Sequence, residues 1–173
     1  MRSRGSGMRW IWIDTFVEFV SGRQASAVKN VSLAEDYLQD HFPGFPVVPP
    51  SLMIEGMAQT AGILVGEARQ FRENVILAKI KRARFDDYAF PGDQLRYDAV
   101  IDSLDDRAAV TLGTVHKNGA EIGQVDLIFS HLDRSAQPLD LPDHNFVFTE
   151  TFLALLAGFR GPGAAGQSRP DDT

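Results

Sequence analysis

Between Ser51 and Gly66 the chain contains no proline and one charge, Glu55, and the proline-free run continues to about Gln70; this stretch limits what the whole molecule can be. Leu52, Glu55, Gln59, Gly62, Ile63 and Gly66 recur at three- and four-residue spacing, the period of one helix face. Most of the remaining positions are also apolar or small. A helix apolar nearly all round is buried nearly all round, so the rest of the fold is expected to wrap it. Gly56, Gly62 and Gly66 are expected to let other backbone come close.

The wrapping material follows in the chain. VILAKIKRARF (75–85), QLRYDAVIDSL (94–104), RAAVTLGTVHK (107–117) and EIGQVDLIFSHL (121–132) all have strand character. Asn118-Gly119 tolerates the positive φ angles of a tight hairpin turn, and Phe90-Pro91-Gly92-Asp93 marks a second turn. Ahead of the helix, the β-branched and aromatic run Arg9 to Val20, punctuated by Ser21-Gly22, pairs in a predicted hairpin with QASAVKNVS (24–32). A short helix is predicted over Leu33 to Gln39 with Ser32 as its cap. One buried helix, a hairpin and four mostly antiparallel strands make an α+β layout over residues 9–132.

At 173 residues and 44% apolar, the chain has enough material for one domain with a real core. Residues 1–8 read as a disordered leader, and 133–160 as a polar linker followed by a short helix, capped at Thr149, with Phe148 and Leu153 as a staple and Phe152, Leu155, Leu156 and Phe159 as its stripe. Residues 161–173 read as a disordered tail. With no cysteine there can be no disulfide, thiolate metal site or cysteine nucleophile, in keeping with a cytoplasmic chain. Asp14 and Glu18 interrupt the apolar run Trp10 to Val20, and no segment reaches the roughly 20 apolar residues of a membrane helix. A formal charge of -6 argues against nucleic acid as a partner. The local exception is KIKRAR, where Lys79, Lys81, Arg82 and Arg84 could meet an acidic partner or merely solvate a strand face.

The chemistry concentrates in HFPGFPVVPPSLMIEGMAQ (41–59). Pro43, Pro46, Pro49 and Pro50, four of the nine prolines, fall within eight residues and leave the loop few shapes. His41 opens it and carries the side chain best suited to proton transfer at neutral pH. Glu55 lies one turn into an otherwise apolar helix, where loss of water drives a carboxyl toward its neutral, proton-donating form. Gln59, one turn on, can hydrogen-bond and orient it. Taken singly, His41 could be structural and Glu55 could serve the helix dipole. Together, a base and an acid beside a helix start suit removal of one proton and delivery of another, as in loss of water from a β-hydroxy thioester. Four histidines at scattered positions offer no compact metal-ligand spacing, so no metal is expected.

This stretch closely resembles the signature of the hot-dog fold β-hydroxyacyl-[acyl-carrier-protein] dehydratases: a histidine in H-F-P-G, a P-V-x-P-G loop and E-A-x-A-Q on the central helix. AVKNVSLAEDYLQDHFPG and ARFDDYAFPGDQL extend the likeness over about Arg9 to Leu132. The resemblance implies a long helix wrapped by an antiparallel sheet, and a homodimer, in some members a trimer of dimers, with its site between subunits. It implies that His41 removes the α-proton and that Glu55 of the neighbouring chain protonates the hydroxyl. Glutamate rather than aspartate at 55 implies the dehydratase that does not isomerise. It further implies an acyl carrier protein as partner, docked on Lys79, Lys81, Arg82 and Arg84, an acyl tunnel near Phe85, Tyr88 and Phe90, and no organic cofactor.

Two positions depart from the pattern. Where the family carries alanine this chain has Gly56, a change worth about 1 kcal/mol in helix propensity and expected to matter little for mechanism. Where the family carries glycine this chain has Pro50, which suits the first helical turn but lacks the N–H that would meet a thioester carbonyl. Gly44 and Ser51 are the candidate replacement donors. Alternatives therefore stay open: a weak or inactive hot-dog protein that binds acyl chains or partners an acyl-processing assembly, and a thioesterase in which Glu55 activates water. Coenzyme A in place of the carrier protein is open as well.

Overall fold

The computed structural model describes residues 10–132. The leader, the linker, the C-terminal helix and the tail expected from the sequence lie outside them. Six strands and two helices follow in the order β1 (Thr15–Val20), β2 (Gln24–Asn30), α1 (Tyr37–Asp40), α2 (Pro50–Ala68), β3 (Asn74–Phe85), β4 (Gln94–Leu104), β5 (Ala108–Lys117) and β6 (Ala120–Leu132). The strands form one antiparallel sheet in the order β1-β2-β4-β5-β6-β3. α2 packs against β2, β3, β4, β5 and β6, which gives the α+β hot-dog arrangement.

Local chemistry explains most boundaries. Asn118 and Gly119 both adopt positive φ, 50° and 88°, the geometry of a two-residue hairpin turn between β5 and β6. Gly92 at φ 99° and the Asp93 N–H donating to the Phe90 carbonyl at 3.0 Å make a tight turn into β4. Pro50 occupies the first turn of α2, where its missing N–H costs no helical hydrogen bond.

Three expectations are corrected. The first strand begins at Thr15 rather than Arg9, because the main chain at Trp10 and Trp12 bonds the Gln59 side chain instead of a neighbouring strand. The short helix starts at Tyr37 rather than Leu33: Ser32 Oγ does accept the Ala34 N–H at 3.2 Å, but the bond closes a turn ahead of the helix. Nor is α2 buried all round. Met53, Met57, Ala61 and Leu64 are fully buried against Leu95, Tyr97, Val115, Val125 and Leu127, each large side chain contributing about 2 kcal/mol by leaving water. Leu52, Ile54, Glu55, Ala58, Gln59 and Gly62 are only half-buried. The outward face carries the polar Glu55 and Gln59 beside Leu52 and Ile54, whereas Met53, Met57, Ala61 and Leu64 form the wholly apolar face that fills the sheet.

Gly56 and Gly62 also act differently from expectation. Side chains, not backbone, approach these two: a Cβ on Gly56 would lie 2.5 Å from the Tyr97 ring, and one on Gly62 would lie 3.3 Å from Phe129. Gly56 is thus a steric partner of the fully buried Tyr97. Burial raises the Tyr97 pKa, with Tyr37, Asp14 and Glu35 adding to the effect, so the phenol stays neutral there.

Candidate active site

α1 delivers the chain into the proline loop, and His41 is the first residue after it; its N–H donates to the Tyr37 carbonyl at 3.2 Å. The loop closes on itself: Phe42 and Phe45 exchange main-chain bonds of 3.0 and 2.9 Å, and the Val47 N–H donates to the His41 carbonyl at 2.9 Å. Gly44 supports this closure with φ 79°. The Val48 N–H then donates to the Ala89 carbonyl at 2.9 Å, which docks the loop on the segment before β4.

These bonds assign the histidine a tautomer. His41 Nδ1 lies 2.9 Å from the Val47 carbonyl, an acceptor only, so Nδ1 carries the hydrogen and the neutral ring leaves Nε2 as a lone-pair base. The ring stacks on Phe42 with centroids 4.2 Å apart, which limits its rotation.

At the start of α2 the Pro49 carbonyl accepts from Leu52 N–H at 2.9 Å and Met53 N–H at 3.3 Å. Pro50 has no N–H, so Ser51 holds the remaining amide of that first turn. Glu55 follows one turn on, half-buried, with Oε1 accepting from Gln59 Nε2 at 2.9 Å. Gln59 also accepts the Trp12 N–H at 2.8 Å through Oε1 and donates to the Trp10 carbonyl at 3.0 Å. Among the described residues no hydrogen bond or ion pair joins His41 to Glu55 within the chain.

The other residues singled out by the sequence fall into two places. On β3, at the sheet edge, all eight residues from Leu77 to Arg84 are exposed, Lys79, Lys81, Arg82 and Arg84 among them. Arg82 pairs with the buried Asp126 at 2.9 Å and Arg84 with Asp86 at 2.8 Å, whereas Lys79 and Lys81 have no ion pair among the described residues. Phe90 lies beside the loop, meeting Phe45 edge-on at 5.4 Å, and Tyr88 meets Phe90 in turn at 6.5 Å. Lys117 holds this segment by bonding Asp87 and the Tyr88 carbonyl. Phe85 ends β3, packed where a Cβ on Gly123 would sit.

Sequence reasoning missed Phe42 and Phe45, both 54% exposed beside His41, and the contact of Trp10 and Trp12 with Gln59. The exposed phenylalanines could have been noticed in a loop too proline-rich to bury them. Nothing in the sequence announces the tryptophan contact, since it spans 47 residues. Among the described residues no cluster of three or more metal-ligating side chains occurs, and no helix is long and apolar enough to cross a membrane.

Comparison with known proteins places this geometry. A model of the FabA-like domain matches residues 9–125. The 3-hydroxyacyl-[acyl-carrier-protein] dehydratase FabZ of Pelotomaculum thermopropionicum is 34% identical over 122 residues, 70% of this chain and 87% of that protein. The dehydratase of the same name from Caldanaerobacter subterraneus subsp. tengcongensis is 34% identical over 117 residues, 66% of this chain and 79% of its own. In fold, the chain resembles a solved structure of the dehydratase heterocomplex ApeI:P from Xenorhabdus doucetiae, with a TM-score of 0.61, 17% identity, and 72% of this chain and 85% of that one covered. With the family model spanning most of the chain and relatives of this similarity over most of their own length, the chain belongs to the FabA-like family of hot-dog dehydratases.

Proposed function

We propose that the protein removes water from 3-hydroxyacyl-[acyl-carrier-protein] to give trans-2-enoyl-[acyl-carrier-protein] in fatty-acid biosynthesis, in the cytoplasm. The observation that carries this reading is the pinned tautomer of His41, which leaves Nε2 free as a base at the head of a rigid loop. Nε2 takes the α-proton, and negative charge grows on the thioester oxygen. The Ser51 and Gly44 amides are the donors offered to that oxygen. Glu55 delivers a proton to the departing β-hydroxyl, which leaves as water, and the histidine returns its proton to solvent while the carboxylate is reprotonated.

His41 and Glu55 are not joined within one chain, and the half-buried face of α2 carries Glu55 at a surface its own sheet does not cover. Both facts favour a homodimer in which each site takes His41 from one copy and Glu55 from the other. The exposed β3 edge is a second surface free to meet another molecule. Lys79 and Lys81, free of ion pairs among the described residues, are the stronger candidates for docking an acidic carrier protein; Arg82 and Arg84 are partly neutralised by Asp126 and Asp86. Reversing the charge of Lys79 and Lys81 should lower kcat/KM for the carrier thioester and leave the coenzyme A thioester unchanged. Phe85, Tyr88 and Phe90 are assigned to the acyl path, Phe90 through its contact with Phe45 of the loop and Tyr88 through its contact with Phe90.

A second reading, a catalytically weak member that binds acyl chains, is favoured by one observation: with Pro50 lacking an N–H and two amides already bonded to the Pro49 carbonyl, the helix start keeps only the Ser51 donor. One assay separates the readings. Supply a 3-hydroxyacyl-carrier thioester and follow enoyl product and free thiol together. Enoyl formation supports the dehydratase, thiol release a thioesterase, and binding without either the acyl-binding protein.

A further inference from the structure

Among the described residues the segment Trp10 to Ile13 has no strand partner at its start, yet it is held firmly. Ile13 is buried in the core, and the Asp14 N–H donates to the Val28 carbonyl at 2.7 Å. The Trp12 indole meets Trp10 edge-on at 5.3 Å and Tyr37 of α1 at 5.2 Å. What this anchored segment offers the helix is main chain. The Trp12 N–H, a donor only, faces Gln59 Oε1 at 2.8 Å; the Trp10 carbonyl, an acceptor only, faces Gln59 Nε2 at 3.0 Å.

That pair determines which end of the Gln59 amide faces Glu55. Reversing the amide would set NH2 against N–H and oxygen against oxygen, losing two hydrogen bonds at once. In the orientation that remains, Nε2 spends one hydrogen on the Trp10 carbonyl and the other on Glu55 Oε1 at 2.9 Å. An amide N–H only donates, so Glu55 Oε1 must accept, and a proton on this carboxyl resides on Oε2. The Trp12 side chain meanwhile rests on α1, the helix that ends at His41, so one short segment touches the supports of both groups.

We propose that the main chain of Trp10 and Trp12 is a positioning element for Glu55: it locks the Gln59 amide, and through it makes Oε2 the proton-delivering oxygen. This rests on the dehydratase reading given above. Replacing the Trp12 amide by an ester, through incorporation of the α-hydroxy analogue of tryptophan in the full chain, deletes the N–H and little else. Two readouts apply. The Gln59 side-chain NH2 protons should exchange with solvent faster in the ester variant, as seen by nitrogen-proton NMR. With the 3-hydroxyacyl-carrier thioester, kcat should fall about tenfold with KM within about twofold, and the ester should cost nothing more in a Gln59→Leu background. A change in kcat below about twofold, or an equal loss in both backgrounds, overturns the proposal. Should the unaltered protein fail to form enoyl product, the reading of the reaction falls, and the NMR decides the clamp by itself: unchanged exchange at Gln59 overturns it, faster exchange supports it.

Discussion

On the inward face of α2, Met53, Met57, Ala61 and Leu64 are fully buried and Gly56 has no room for a methyl group, whereas on the opposite face Leu52, Glu55, Gln59 and Gly62 stay half-buried. The first face is matched atom to atom with its own sheet. The second carries a carboxyl whose only side-chain partner among the described residues is Gln59, itself tied to the main chain of an outlying segment. One helix therefore combines a tightly filled surface with one that its own sheet leaves partly uncovered. Changes on the first should register in stability, and changes on the second in activity.

The largest effect should come from the outward face. Glu55→Gln keeps shape and removes the proton the proposed mechanism delivers, and His41→Ala, in the loop ahead of the helix, removes the proposed base; each is expected to lower kcat by about 10²- to 10⁴-fold with little change in Tm. Steady-state kinetics beside a thermal melt will tell, and a large drop in Tm for Glu55→Gln would break the contrast between faces.

Pro50→Gly comes next, because it restores an amide at the helix start. Enoyl formation should rise by up to about 10²-fold, at a cost in stability of about 0.4–1 kcal/mol from the freer unfolded chain. An unchanged rate would mean that the Ser51 and Gly44 amides already suffice.

On the inward face, helix propensity alone says that Gly56→Ala should stabilise by about 1 kcal/mol. The Tyr97 ring at 2.5 Å from the added Cβ says the reverse, and overpacking is expected to win by about 1–3 kcal/mol in urea unfolding. Tyr97→Leu in the same chain should recover part of the loss. If the two changes prove additive, Gly56 and Tyr97 are not steric partners.

The smallest effect lies at the far end of the helix, where Arg69 bonds Glu73 and Asp106 and His131 is buried 3.3 Å from Glu73. Burial lowers the His131 pKa from 6.5, Arg69 adding to this, Glu73 and Asp105 opposing it. The unfolded chain takes up that proton near pH 6.5 and the folded chain does so only at lower pH, so stability is full above about 6.5 and declines as pH falls below it. His131→Gln should flatten this decline in pH-dependent unfolding while leaving the pH profile of activity in place.

The fold was legible wherever a local rule suffices. The strand QLRYDAVIDSL matches β4 residue for residue, α2 starts one residue before the predicted Ser51, and Asn118-Gly119 turns as its φ tolerance requires. His41, Glu55 and Gln59 could be singled out because a proline-stiffened loop and a lone carboxyl on an apolar helix are local patterns, and the family resemblance sharpened them. The tryptophan segment has the composition of a strand, but Gln59, 47 positions beyond Trp12, diverts its main chain from strand pairing. The linker and helix expected over 133–160 lie outside the described residues.

By itself, then, the sequence determined an α+β chain with one long helix against a sheet and four ordered strands after it, and it singled out His41 and Glu55 as candidates, because turn chemistry, periodicity and residue type all act over a few neighbours. Only the tertiary structure decided which face of the helix fills the sheet, why Gly56 is glycine, which nitrogen of His41 is free, and how Gln59 is oriented. Each of those depends on the volume or the donor and acceptor character of a group brought close by folding, and a linear pattern does not record such groups.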